Sequence, residues 1–241
     1  PDLLAGDVGE VVRLESGSSA DLVGTGGATL APVTPASEPH DAPQPPEPPP
    51  IPIPAMVDPS RPLRVLVVGD STALYLTKGL MNWAEDTGTM QVASHASYGC
   101  GILRADRVIG REKAQRMPAS CHRWDEDWKT EIERLRPDVV FVASTLWDAN
   151  DQVLSDGSIV IPGDAGYAAF ASAEYADALE VLHDRGAVVL WARNPPLDLE
   201  KWRGADPERM EAMNVVLAEL AAERPWMELV EYDDYVSAWM A

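Results

Sequence analysis

The chain has 241 residues, with 39 acidic against 19 basic side chains, a formal net charge of −20 and 46% hydrophobic content. So negative a surface repels phosphate backbones, which argues against nucleic acid as a partner and reads first as solubility. The apolar content suffices for one sizeable core, and no apolar run reaches the roughly 18 residues that a bilayer span needs.

In chain order, residues 1–60 stand apart from the rest. Gly6 to Gly27 is rich in glycine, serine and small residues, and Pro35 to Pro54 holds about half of the 21 prolines. Proline fixes φ and lacks a donor, so this stretch favours extended polyproline II and reads as a semi-rigid spacer. The chain opens on Pro1 rather than Met, which reads as a processed product or part of something longer.

From Pro62 the pattern turns globular, and residues 61–241 are expected to form one domain. Leu63–Val68 is a β-branched run ending at Gly69, a buried strand. Ala73–Trp83 reads as a helix and Met90–Ser94 as a weaker strand. Glu126–Leu135 is helical and stops before Pro137. Asp138–Ser144 is the third strand. Tyr167–Asp184 is a helix closed by Gly186, with Ala171, Tyr175, Ala178, Leu179 and Leu182 on one face. Ala187–Ala192 is the fourth strand, Glu208–Ala222 the last helix, and Met227–Tyr232 the fifth strand. Strands alternating with helices predict a parallel sheet covered on both faces, a three-layer flavodoxin-like α/β sandwich. In such sheets function gathers at the carboxyl ends of the strands.

Cys100 and Cys121 can be free thiols, a metal pair or one disulfide. A metal site needs more ligands than the neighbouring His122 adds. A disulfide is the favoured reading, and its loop of about 20 residues would contribute about 3 kcal/mol in the loop-entropy account. It would imply an oxidising compartment.

At the end of the first strand, Gly69-Asp70-Ser71-Thr72 runs directly into a helix. Ser71 can be a nucleophile there, with its own amide near a helix N-terminus that favours an oxyanion. It can equally be a helix cap. Neither a dinucleotide-binding nor a P-loop glycine pattern is present. Trp124 and Trp128, one turn apart, are expected in the core rather than as a sugar platform. No carboxylate pair is selected by spacing for glycosidase chemistry.

An ordered set of motifs then resembles the SGNH hydrolases, and more closely the extracytoplasmic SGNH domains fused behind membrane acyltransferases. Val67-Val68-Gly69-Asp70-Ser71 resembles their first block and Ser97-Tyr-Gly-Cys-Gly-Ile102 their second. Cys121-His-Arg-Trp124 with Arg136-Pro-Asp-Val-Val140 matches their cysteine, helix and third strand, and Ser144-Thr-Leu-Trp-Asp148 their third block. Trp191-Ala-Arg-Asn-Pro-Pro196 and the Arg209–Leu217 helix with Asn214 match later segments. The resemblance implies acyl transfer through a Ser71 ester, with the amides of Ser71 and Gly99 holding the oxyanion, Gly101 in reserve, and no metal or organic cofactor. It implies an acylated glycan or other hydroxylated substrate and an upstream membrane acyltransferase domain. It also implies an extracytoplasmic location, tethered to the membrane.

Two positions depart from the family pattern. Where the third block carries an asparagine, this chain has Trp147, which could line an acyl pocket; Asn150 is the substitute, unless it and Asp151 only form a turn. The family's Asp and His lie in a DxxH segment after the fifth strand, whereas here Asp233-Asp-Tyr-Val236 carries no histidine. The expectation is that the segment lies beyond residue 241, so that this chain holds no catalytic Asp/His. Of the other histidines, His95 is the best internal substitute, while His40 sits in the spacer, His122 beside Cys121 and His183 late in a helix. The alternative function is a non-catalytic SGNH-like module that binds a glycan or partner. A flavodoxin-like protein with no esterase ancestry is the third reading.

Overall fold

The structure, a computed structural model, describes residues 60–110, 113–195 and 205–232. The expected spacer, His40 and Asp233 lie outside the described residues. Five strands, β1 (Leu63–Gly69), β2 (Met90–Ala96), β5 (Val139–Ala143), β8 (Val188–Ala192) and β9 (Met227–Val230), form one parallel sheet in the order β2-β1-β5-β8-β9. This is the predicted flavodoxin-like architecture.

The strands are apolar on both sides because both faces are covered. Helix α1 (Ser71–Thr87) packs on one face, where Val65, Val67 and Ala73 meet Leu76, Leu80 and Phe141. Helices α2 (Trp124–Leu135), α3 (Ala165–His183) and α4 (Pro207–Ala222) enclose a larger core with Leu66, Val68, Val140, Val142 and Val189 on the other. Consecutive strand residues alternate between these two cores, as the two-residue period requires. Trp124 and Trp128 stack at 5.0 Å within the larger core, as expected from their spacing. Trp191 meets Tyr175 edge to face nearby.

A second sheet was not foreseen. Short strands β3 (Arg107–Ile109), β4 (Gln115–Arg116), β6 (Asp151–Val153) and β7 (Ile159–Val160) pair antiparallel in the order β4-β3-β6-β7. Two- and three-residue strands carry too little alternation to be read from sequence. The sheet joins the segment after β2 to the segment after β5, and so ties together two loops at the carboxyl edge of the main sheet.

The opposite edge is held by charge. The Asp138 carboxylate accepts from Arg61 Nη1 at 2.6 Å and Nη2 at 2.7 Å, from the Arg64 backbone N–H at 2.9 Å, and from Arg64 Nη2 at 3.2 Å. The Arg61 bonds and then those from Arg64 hold its pKa well below the carboxylate range, against the opposing effect of burial. A depressed carboxylate adds stability above its unfolded pKa and loses it as pH falls through the folded value. Asp138→Asn should therefore cost about 2 kcal/mol near neutral pH, allowing for the exposure of both arginines. Urea unfolding across pH should show the gap to the parent chain narrowing below about pH 4; a gap that stays constant down to pH 2 contradicts this account.

Candidate active site

The β1–α1 turn is built from Gly69 and Asp70. Gly69 has φ 131°, and a Cβ there would lie 1.9 Å from the Ala143 carbonyl oxygen, so only glycine lets β1 and β5 end so close together. Asp70 is the buried N-cap of α1. Its Oδ1 accepts from the Thr72 N–H at 2.7 Å. Its Oδ2 accepts from the Thr145 N–H at 2.8 Å and the Thr145 hydroxyl at 3.0 Å. Burial raises the Asp70 pKa, and these hydrogen bonds oppose the rise. Ser71 follows as the first residue of α1 and is half-buried. Its amide therefore precedes the intrahelical ladder. The cap reading thus belongs to Asp70 rather than to Ser71.

The loop after β2 runs beside this turn, with the Ser97 N–H donating to the Gly69 carbonyl at 2.9 Å. Gly99 has φ 71°, and a Cβ there would touch the Trp147 ring at 3.5 Å. At Gly101 a Cβ would lie 2.1 Å from Asp148 Oδ1. Between these glycines Cys100 is disulfide-bonded to Cys121, which settles the choice left open by the sequence. Asp148 is fully buried. Its Oδ1 accepts from the N–H groups of Ile102 at 2.8 Å and Leu103 at 3.1 Å, and its Oδ2 from the Ser144 hydroxyl at 2.6 Å. Burial, with a smaller contribution from the charge of Asp70, pushes its pKa up to about 6 against those hydrogen bonds.

The loop after β5 closes the arrangement. Trp147 is half-buried against Gly99, and Asn150 is fully buried in the turn leading into β6. Gln152 Nε2 donates to the carbonyls of Trp147, Asn150 and Asp148 at 2.9, 3.0 and 3.2 Å, and the Tyr167 hydroxyl donates to the Asp148 carbonyl at 3.0 Å. Arg209 on α4 pairs with buried Asp151 at 2.6 Å. The Asn194 N–H after β8 donates to the Asn214 side-chain oxygen at 2.8 Å, and the Asn214 amide returns a bond to the Asn194 carbonyl at 3.1 Å. Ser71, Gly99 and Trp147 thus come from three loops that the chain joins at one edge of the sheet.

Of the histidines, His95 borders this edge and the other described ones lie away from it. His95 pairs with Val68, whose side chain belongs to the α2–α4 core, whereas its neighbour Ser94 faces α1 and accepts from the Thr77 hydroxyl at 3.1 Å. His95 is accordingly on the side of the sheet away from α1, lining a cavity of about 30 Å³ that Gly69, Ser97, Gly101 and the Cys100–Cys121 pair also line. His122 is in the 3-10 turn at Ala119–His122. His183 stacks on Trp226 at 3.9 Å and bonds the Ala187 carbonyl at 2.7 Å, at the start of β8 and so at the opposite sheet edge. Asp70 and Asp148 are the residues of this edge that the sequence reading passed over. The N-cap preference for Asp ahead of a helix could have found Asp70; nothing local marks Asp148.

The family model for the SGNH domain (fused to AT3 domains) matches residues 39–237. No curated protein matches. Among solved structures, an N-terminal part of a Bacteroides fragilis protein containing a phosphatase domain is 12% identical, covering 75% of this chain and 43% of that one at a TM-score of 0.45. The periplasmic domain of a lipopolysaccharide acetyltransferase from Salmonella ser. Paratyphi A is 16% identical, covering 70% and 66% at 0.42. A GDSL-like lipase from Bacteroides thetaiotaomicron is 12% identical, covering 70% and 68% at 0.45. This chain spans less than two thirds of the first two. The family match covers most of the sequence and agrees with the parallel sheet and the Gly69-Asp70-Ser71 turn: the chain belongs to the family of SGNH domains fused to AT3 domains.

Proposed function

We propose that this domain is a serine esterase or O-acyltransferase working through a Ser71 acyl-enzyme, on acyl esters of a glycan or another cell-envelope acceptor. The observation that carries the reading is the position of Ser71. It stands half-buried at the N-terminus of α1, on a turn fixed by Gly69 and Asp70, beside the loop of Gly99. Ser71 Oγ attacks the ester carbonyl and loses its proton to a base. The tetrahedral oxyanion is held by the N–H groups of Ser71 and Gly99. Collapse expels the alcohol, which takes up the proton, and water or an acceptor hydroxyl then releases the acyl group. As a third donor to the oxyanion we carry Asn150, which is fully buried in the turn leading into β6.

The base is expected from a segment after β9, where the family carries its Asp and His. Residues 233–241 contain no histidine and lie outside the described residues. The family's fusion to AT3 domains supports an acyl-delivering membrane partner, with residues 1–60 as the spacer. The disulfide supports an extracytoplasmic setting. Among the described residues no helix is long and apolar enough to cross a membrane.

Intact-mass measurement after fluorophosphonate treatment tests the reading, on this chain and on one extended through the expected DxxH. The extended protein should take one adduct, in which Oγ–P replaces P–F, and Ser71→Ala should take none. A folded extended protein that stays unlabelled overturns the esterase reading and favours a binding module.

Asp148 is assigned a positioning role, holding residues 101–103 and through them the Gly99 loop. Its raised pKa implies a stability contribution that is present below about pH 4 and lost as pH rises through about 6. A shift of about two pH units is on the order of 3 kcal/mol. Asp148→Asn should flatten the stability profile between pH 4 and 6 in urea unfolding. In the extended protein it should also slow Ser71 labelling about tenfold; an unchanged slope would show that Asp148 is not the titrating group.

A further inference from the structure

Among the described residues the exposed aromatic side chains are Tyr75, Trp83 and Tyr98, and two of them sit close in the chain to Ser71 or Gly99. Tyr75 is 68% exposed and lies one helical turn after Ser71, on the same side of α1. Tyr98 is 67% exposed and immediately precedes Gly99. The two rings meet edge to face, 6.4 Å apart at 81°, and their hydroxyls share a hydrogen bond of 2.7 Å. Two segments of the candidate site, the nucleophile helix and the Gly99 loop, thus present one coupled pair of rings to solvent. The row continues along α1 at four-residue steps. Gly79 comes next, where an added Cβ would meet nothing within 4 Å, and then Trp83, 49% exposed. From Ser71 to Trp83 the row runs about 18 Å along the helix axis and, at about 100° per residue, slants about 120° around it as one ridge.

We propose that this row is an acceptor track for a neutral glycan chain, with Tyr75 and Tyr98 holding the sugar ring nearest Ser71 and Trp83 a more distant one. The inference rests on the acyl-transfer reading of Ser71 and names its acceptor. Three observations select this occupant. Tyr75 and Trp83 are spaced along the helix with the bare Gly79 between them, unlike the contiguous apolar patch that a protein partner would cover. Each tyrosine offers an apolar face together with a hydroxyl at its tip, which matches a pyranose ring with its C–H face and peripheral hydroxyls. The net charge of −20 disfavours a polyanionic chain and tolerates a neutral one. The hydroxyl–hydroxyl bond fixes both rings before a ligand arrives, which lowers the ordering cost of binding.

The test is saturation-transfer NMR and calorimetry with the β-linked tetrasaccharides of glucose, xylose and N-acetylglucosamine, each beside its disaccharide. At least one tetrasaccharide should bind in the millimolar range or tighter. Tyr75→Ala and Tyr98→Ala should each weaken it about tenfold or more, while Tyr75→Phe, which keeps the ring and loses the hydroxyl bond, should weaken it by about two- to threefold. Trp83→Ala should weaken the tetrasaccharide but not the disaccharide. Because these side chains are exposed, the alanine variants should melt within a few degrees of the parent, so lost binding is not lost folding. Saturation by none of the tetrasaccharides overturns the track, as does parent-like binding by the alanine variants. Co-sedimentation with zwitterionic vesicles that the same variants abolish, without a glycan signal, would assign the rings to a membrane surface instead. Ser71→Ala should leave glycan binding intact. Glycan binding without fluorophosphonate labelling of the extended protein would therefore sink the esterase reading alone, and labelling without glycan binding would sink the track alone.

Discussion

Two buried carboxylates hold the carboxyl edge of the main sheet of this domain. Asp70 accepts three hydrogen bonds from Thr72 and Thr145, and Asp148 accepts three from Ile102, Leu103 and Ser144. In both cases the donors are neutral N–H and O–H groups. Each anion spans segments far apart in the chain, so the β1–α1 turn, the 101–103 loop and the 144–148 loop have one mutually consistent arrangement. Burial pushes both pKa values up, so the arrangement is costly in charge and gains its value in geometry. A buried polar network that is fully satisfied specifies one conformation, where an apolar patch would tolerate several.

The remaining contacts serve the same edge from outside. The Cys100–Cys121 bond closes the loop that starts beside Gly99, β3 pairs with β6, and Arg209 reaches Asp151 from α4. Asn214 holds the segment after β8 through Asn194. These ties add to the apolar packing of Ile102, Leu103 and Ala149 in the larger core and of Cys121 and Val108 in a small cluster beside Trp147. The cores fix the layers, and these polar and covalent ties fix the loops. A change such as Gly101→Ala would act on the site without touching either core, because the added carbon would fall on Asp148 Oδ1.

The main sheet was legible because its signal is strong and local. Val65–Val68, Val139–Val142 and Val188–Trp191 are apolar runs, and the helices between them carry clear stripes. The stacked pair Trp124 and Trp128 followed from one-turn spacing. The disulfide was the favoured of three readings. The small antiparallel sheet was not legible, since its stability comes from partners more than 40 residues away in the case of β3 and β6. Asp148 was hidden for the same reason: its donors are separated from it by 45 residues or more, apart from Ser144. Tyr75 was visible in principle, at helical spacing from Ser71.

Asp70 also bears on how Ser71 can be activated. Its carboxylate takes up the Thr72 N–H, one of the free donors at the start of α1, and leaves the Ser71 N–H ahead of the ladder. A negative charge at the helix N-terminus offsets part of the dipole that would otherwise favour an oxyanion there. Oxyanion stabilisation in the proposed reaction then depends less on the helix as a whole and more on two aimed N–H groups, those of Ser71 and Gly99. Such donors are worth most when they need no reorganisation as charge develops. That places the demand on the rigidity of the Gly99 loop, which is what Asp148, the disulfide and the packing of Trp147 on Gly99 supply together.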